Sequence, residues 1–160
     1  MKSDLLTVDI SRLNPAGDVI QGDVPVAALG LEDERMTRFK DPVKLDLKTQ
    51  QPPGELVVHG VVEVPCEQEC SRCAEFYSTT VRVSSFLRAY EIPDGTDTVD
   101  LTADIREDVL LALPPFPLCS DDCKGLCPQC GKNRNEGPCA CKPPPKTDNP
   151  WAALNDLDLR

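Results

Sequence analysis

The chain has 160 residues, with 27 acidic against 17 basic side chains for a net charge of −10, nine cysteines, 16 prolines and 4% aromatic residues. That length is one domain of ordinary size, and the acidic excess argues against the broad basic footprint that holds phosphate backbones. The opening stretch MKSDLLTVDISRLN has no uninterrupted apolar core like that of a secretory signal. No later segment approaches the ~18 apolar residues of a membrane span, so a reduced, cytoplasmic setting is expected.

In chain order, Leu6, Val8 and Ile10 alternate with Thr7 and Asp9, which predicts a half-exposed strand. The charged stretch from Leu31 to Lys40 fits a short helix or a loop. Val43, Leu45 and Leu47 alternate with Lys44, Asp46 and Lys48 as a second strand, and Pro52-Pro53-Gly54 turns the chain after it. Leu56, Val58, Val62 and Val64 then alternate with Val57, His59, Val61 and Glu63. Beyond a turn-rich segment, Thr79, Val81, Val83, Ser85 and Leu87 alternate with Thr80, Arg82, Ser84, Phe86 and Arg88. Period two on both sides of a turn predicts an antiparallel hairpin with Cys70 and Cys73 at its tip.

Leu101, Ile105, Val109 and Leu113 recur every four residues and predict a helix over about 101–113, with Asp100 as its cap and Asp104, Glu107 and Asp108 outward. Pro114-Pro115 stops it, and Pro117 carries an extended chain to Cys119, so this helix is the arm that returns the later cysteines to the hairpin. After CKPPPKTDNP, Trp151, Leu154 and Leu157 form a stripe behind Asn149 and Pro150. This reads as a linker and a short helix that docks on a partner or on its own domain.

Eight of the nine cysteines sort into two groups. Cys70 and Cys73, a C-x2-C pair, match Cys119 and Cys123, a C-x3-C pair; Cys127 and Cys130, again C-x2-C, match Cys139 and Cys141 within CGKNRNEGPCAC. Four thiolates at such spacings can surround a zinc ion tetrahedrally, so two structural zinc ions are expected. Cys66 is left over, as a spare ligand, a reactive thiol or an incidental residue. Disulfides would require an oxidising compartment. A thioredoxin-like pair would open a helix after a parallel strand, which is not the context of Cys70 and Cys73. Cys66-x3-Cys70-x2-Cys73 and Cys123-x3-Cys127-x2-Cys130 also match the triplet spacing of radical S-adenosylmethionine enzymes, but glycine-rich loops and room for a barrel are missing. His59, the sole histidine, sits within a strand, and the carboxylates show no acid–base spacing.

Four stretches together resemble one family. They are CSRC at Cys70–Cys73, DLTADIREDVLLALPPFPLCSDDC at Asp100–Cys123, CKGLCPQCGKNRNEGPCAC at Cys123–Cys141 and NPWAAL at Asn149–Leu154. The chain is similar here to the YceD family of large-subunit ribosomal RNA accumulation proteins. In that family C-x-R-C precedes the acidic-apolar helix, followed by a proline stretch and a further cysteine pair, positions matched by Cys70, Arg72, Cys73, Cys119 and Cys123. Some members lack the later block, which implies that the first group is the core device and the second an addition. The chain departs from the family's usual Gly-x-Asn-Leu-Asn at Arg134. The resemblance implies a non-enzymatic role in accumulation or processing of 23S-type ribosomal RNA and in large-subunit assembly.

Charge refines that expectation. Two ions each held by four thiolates would add about −2 apiece to an already acidic chain. Cations cluster near the cysteines, as Arg72, Arg82 and Arg88 and as Lys124, Lys132, Arg134 and Lys142, and could contact RNA or merely offset thiolate charge. A basic ribosomal protein or assembly factor is the better-matched partner, with ribosomal RNA contacted as well or not at all.

The expected architecture is α+β and β-rich: an antiparallel sheet or partly open barrel, one amphipathic helix and a C-terminal zinc-binding extension. Residues 1–118 would form the β-rich domain carrying the knuckle at 66–73, residues 119–141 the Cys-rich segment, and residues 142–160 the Pro-rich linker and short helix. The alternative function is a small metal-cluster or thiol-redox enzyme using the cysteine triplets.

Overall fold

The computed structural model describes residues 4–142, apart from 15 and 35. Seven strands and one helix follow in order: β1 (Thr7–Asp9), β2 (Val19–Val24), β3 (Thr37–Arg38), β4 (Val43–Gln50), β5 (Glu55–Glu69), β6 (Phe76–Glu91), β7 (Thr98–Asp100) and α1 (Thr102–Ala112). The expected helix around Trp151, Leu154 and Leu157 lies outside the described residues.

β5 organises the main sheet. β6 pairs with it antiparallel from Glu55↔Glu91 to Glu69↔Phe76, while β4 and then β3 share its other edge, and β2 adds outside β4. β1 and β7 form a separate two-stranded ribbon. The fold is therefore β-rich with antiparallel sheets that do not close into a barrel.

One face of the main sheet is apolar. Val43, Leu45 and Leu47 of β4 are buried, with the lysines and aspartate between them exposed, and Leu56, Val58, Val62 and Val64 of β5 continue that face. Leu101, Ile105 and Val109 join the same core as Leu6, Leu29, Val81 and Phe86. The four-residue spacing thus places the apolar stripe of α1 against the sheet, as side chains at i and i+4 share a helix face.

Two expectations change. First, β6 does not keep one parity throughout: its register with β5 shifts between Gly60 and Val62, so that Ser84 and Ser85 are both exposed. Beyond this bulge Phe86 turns into the core at 1% exposure and Leu87 turns out at 60%, the reverse of strict alternation.

Second, Asp104 and Asp108 do not simply face solvent. Arg88 of β6 pairs with both, and Tyr90 donates its hydroxyl to Asp104 Oδ2 at 2.6 Å. Burial, then the neighbouring Asp104 carboxylate, holds the Tyr90 hydroxyl protonated well above its ordinary range. A charged helix face is here the polar seam that seats α1 on β6. Asp100 does act at the helix start, accepting from Thr102 N at 2.9 Å, although Leu101 occupies the formal cap position.

The segment around Leu31–Lys40, expected as a short helix or a loop, is irregular among its described residues: it holds the two-residue β3 and an isolated bridge between Glu34 and Thr37, and Phe39 N donates to Asp33 Oδ1.

The bulge makes the two adjacent positions differ sharply. Phe86→Ala is expected to cost about 3–5 kcal/mol of unfolding free energy, whereas Leu87→Ala should stay within about 0.5 kcal/mol, both read from urea-unfolding midpoints.

Candidate metal centres

The β5–β6 turn folds as a knuckle. Cys70 N donates to Glu75 O and Ala74 N to Cys70 O, both at 2.9 Å, which sets the two cysteines of CSRC side by side. Residue 74 closes this turn at φ 59°, in the left-handed region, where a Cβ crowds the following carbonyl. The second knuckle repeats the scheme with Cys127 N on Lys132 O and Gly131 N on Cys127 O, each 2.8 Å, and there the left-handed position is filled by a glycine at φ 73°.

Beyond α1, Ser71 N donates to Pro117 O at 2.8 Å and pins the proline stretch beside the hairpin tip. Cys119 and Cys123 thereby meet Cys70 and Cys73, and all four sulfurs lie within 4.8 Å of one another. Cys70 Sγ is 3.7 Å from Cys123 Sγ, and Cys73 Sγ is 3.7 Å from Cys119 Sγ. A tetrahedron with metal–sulfur bonds of ~2.3 Å has edges of about 3.8 Å, so the spacing fits four ligands around one ion. Disulfide sulfurs would stand at ~2.05 Å. Cys127, Cys130, Cys139 and Cys141 form the second set, again within 4.8 Å. The first set is the better enclosed: Cys70, Cys73 and Cys123 are buried, against Cys127 alone in the second.

The proton balance of each set also suits a cation. Burial pushes the Cys70 thiol up, but backbone N–H groups of Cys119, Cys73 and Arg72 outweigh it and bring the group down to about 6. Burial drives Cys73 the other way, reinforced by the sulfurs of Cys70, Cys123 and Cys119, to about 12. Cys119 is raised first by Cys123 and then by desolvation, whereas the Asn135 amide lowers Cys123. In the second set the N–H groups of Cys130 and Gln129 bring Cys127 to about 6, and the sulfur of Cys130 pushes Cys141 to about 12. Closely placed thiolates repel one another, and a divalent cation removes that obstacle.

Two roles were not legible in the spacing. Arg72 was counted among the cations near the first group; its Nη1 instead donates to Asp121 O at 3.0 Å and Cys123 O at 3.2 Å, fastening the Cys119–Cys123 loop. Arg82 pairs with Glu63 at the surface, its side chain 59% exposed, and Arg88 pairs with the helix carboxylates, so each of Arg72, Arg82 and Arg88 has a partner within the fold. Asn135 donates Nδ2 to Cys123 Sγ at 3.2 Å. No sequence spacing marked that contact, although Asn133 and Asn135 flank Arg134 in the block compared above. Arg134 itself is exposed and only its backbone N is used, on Gly125 O, so a cation there removes nothing from the packing.

Cys66 joins neither set. It packs at 5% exposure in the main core, where burial pushes its thiol up. The triplet Cys66, Cys70, Cys73 is thus divided between core and knuckle, and the triplet Cys123, Cys127, Cys130 between the two sets.

A family model described as large ribosomal RNA subunit accumulation protein YceD matches residues 58–158, from near the start of β5 through both cysteine sets. The chain belongs to the YceD family. An uncharacterized protein of Mycobacterium leprae is 32% identical over 155 residues, spanning 86% of this chain and 69% of its own length. Uncharacterized proteins of Mycobacterium bovis and Mycobacterium tuberculosis are 33% identical over 102 residues, spanning 54% of this chain and 49% of theirs. The chain thus spans about half the length of these last two relatives. No solved structure matches it. For this member of the YceD family, the second set is strapped to the first: Leu126 N donates to Arg72 O at 2.9 Å, and a Cβ on Gly125 would stand 2.9 Å from that same oxygen.

Two measurements follow from this geometry. Because Cys73, Cys119 and Cys141 keep their protons at neutral pH, loading the metal-free protein should expel protons, seen with a pH indicator in weak buffer. The sign is fixed: protonated thiols do not bind, so metal affinity rises with pH and is lost on acidification. Ala74→Gly should relieve the left-handed turn and raise unfolding free energy by up to about 1 kcal/mol, measured on the metal-loaded chain.

Proposed function

We propose that this chain is a non-enzymatic ribosome biogenesis factor that supports accumulation or processing of 23S-type ribosomal RNA and assembly of the large subunit in the cytoplasm. Family membership across residues 58–158 carries the reading. Two zinc ions brace it, one held by Cys70, Cys73, Cys119 and Cys123 and the other by Cys127, Cys130, Cys139 and Cys141. Four thiolates close the coordination shell and suit zinc, leaving no open position for a reacting water. The triplets that motivate the metal-cluster alternative are divided between separate places in the fold, which favours the non-enzymatic reading.

The partner is a basic ribosomal protein or assembly factor. A net charge of −10 supports this, as do the engaged Arg72, Arg82 and Arg88. Among the described residues Lys124, Lys132, Arg134 and Lys142 form no ion pair, and Arg134 and Lys142 line a cleft of about 410 Å³ beside the second set. Any direct RNA contact belongs there. No helix among the described residues is long and apolar enough to cross a membrane.

Depletion of the protein should lower large-subunit ribosomal RNA relative to small-subunit RNA and shrink the large-subunit peak in a sucrose gradient. Unchanged ratios would sink the assignment. Purified holo protein should carry near two zinc ions without visible colour, and it should retain basic ribosomal proteins or assembly factors above an acidic control of similar charge. That capture should weaken steeply with added salt.

A further inference from the structure

The second cysteine set can be removed in thought without breaking any bond of the first, yet the loop inside it reaches back to a sulfur of the first. Asn135 lies between Cys130 and Cys139, so its position depends on the fold of the second knuckle. From there its Nδ2 donates to Cys123 Sγ at 3.2 Å while its Oδ1 accepts from Lys124 N at 2.8 Å, so one amide grips both the thiol and the backbone beside it. Asn133 Oδ1 in turn accepts the backbone Asn135 N at 3.0 Å, holding the turn from which that side chain extends. The main chain runs alongside: Arg134 N bonds to Gly125 O and Leu126 N to Arg72 O, both at 2.9 Å. Arg72 completes the path through its guanidinium on Cys123 O. These hydrogen bonds tie the first set to the loop of the second knuckle, and the chain itself completes the link, since Leu126 precedes Cys127 and Asn133 follows Lys132, whose carbonyl accepts from Cys127 N.

We propose that the two sets hold metal as a coupled pair, with Asn135 as the positioning residue through which the folded second knuckle tightens the first site. A donor hydrogen bond to a metal-bound thiolate offsets its charge and fixes its lone pair, and outer partners of this kind typically change metal affinity about 10–100-fold. Emptying the second set frees its loop and withdraws the Asn135 amide from Cys123. By linkage the effect is reciprocal, so metal in the first set favours loading of the second. This rests on the metal-binding reading above, and the experiment separates the two.

Zinc-loaded full-length protein is titrated with a coloured chelator, and the cobalt-loaded form is read by its sulfur-to-metal charge-transfer bands. Asn135→Asp keeps the oxygen that accepts Lys124 N but replaces the N–H donated to sulfur with an anionic oxygen. It should weaken one of the two ions about 10-fold or more and shift the charge-transfer band of one cobalt. Cys139→Ser/Cys141→Ser should leave one ion weakened to a similar degree, and adding Asn135→Asp to that variant should change little further. If Asn135→Asp retains both ions with wild-type affinity and spectrum, or if the first ion is indifferent to loss of the second set, the coupling is overturned while the metal sites stand. A wild-type chain that takes up neither zinc nor cobalt overturns both. Should the double cysteine variant lose its β-sheet circular dichroism, the Asn135→Asp titration decides alone.

Discussion

Everything beyond the helix depends on bringing four sulfurs to one point at the tip of the β5–β6 hairpin. The pairs that meet are 46 and 53 residues apart, so a long loop must close. Apolar burial does little of this work: the second core cluster consists of Cys70, Cys73 and Cys123 with Tyr77 and Leu118 against them. From Cys119 to Lys142 only Cys123, Gly125 and Cys127 are buried. A segment so short of core is held by hydrogen bonds and by whatever draws the thiolates together, which is the situation in which small domains use a structural metal.

The hairpin makes that closure possible because its length and register are set elsewhere. Leu56, Val58, Val62 and Val64 hold β5 against the core, so the tip cannot slip by one residue without turning that face to solvent. α1 is fixed to the same hairpin by its apolar stripe and by the Arg88, Tyr90, Asp104 and Asp108 seam. Its C-terminal end therefore delivers Pro117 and Cys119 to Ser71 and Cys73 with little freedom left to lose. The main sheet acts as a jig, and the thiol sets are the parts it aligns.

What could be read from residues alone was what depends on local periodicity or thiol spacing. β4 alternates cleanly because one of its faces is wet and the other dry, and the helix stripe recurs because all its apolar members meet one sheet. β6 departs from its sequence pattern beyond Ser84 because a bulge changes parity without any local signal stronger than two adjacent serines. β2 escaped notice since VIQGDV has a single buried member, Val24, and takes its register from β4. The cysteine groups were legible because the chemistry of four thiols is narrow. Arg72 and Asn135 were not, since each acts through partners found by folding: a carbonyl 51 residues away and a sulfur 12 residues away.

The same distinction governs how charge should be weighed. Counting cations near the cysteines suggests a nucleic-acid face, but a guanidinium already spent on carbonyls or carboxylates cannot also neutralise a phosphate without breaking what it holds together. Arg88, at 31% side-chain exposure between two aspartates, is of this kind, whereas Arg72 commits its Nη1 to two carbonyls and stays exposed. Exposed cations without an ion pair among the described residues include Lys44, Lys48 and Arg106 as well as the lysines and Arg134 of the strapped second knuckle, on a chain whose net charge is −10. On the proposed reading a basic protein is the better-matched partner, because a net charge of −10 repels a polyanion as a whole and attracts a cationic surface.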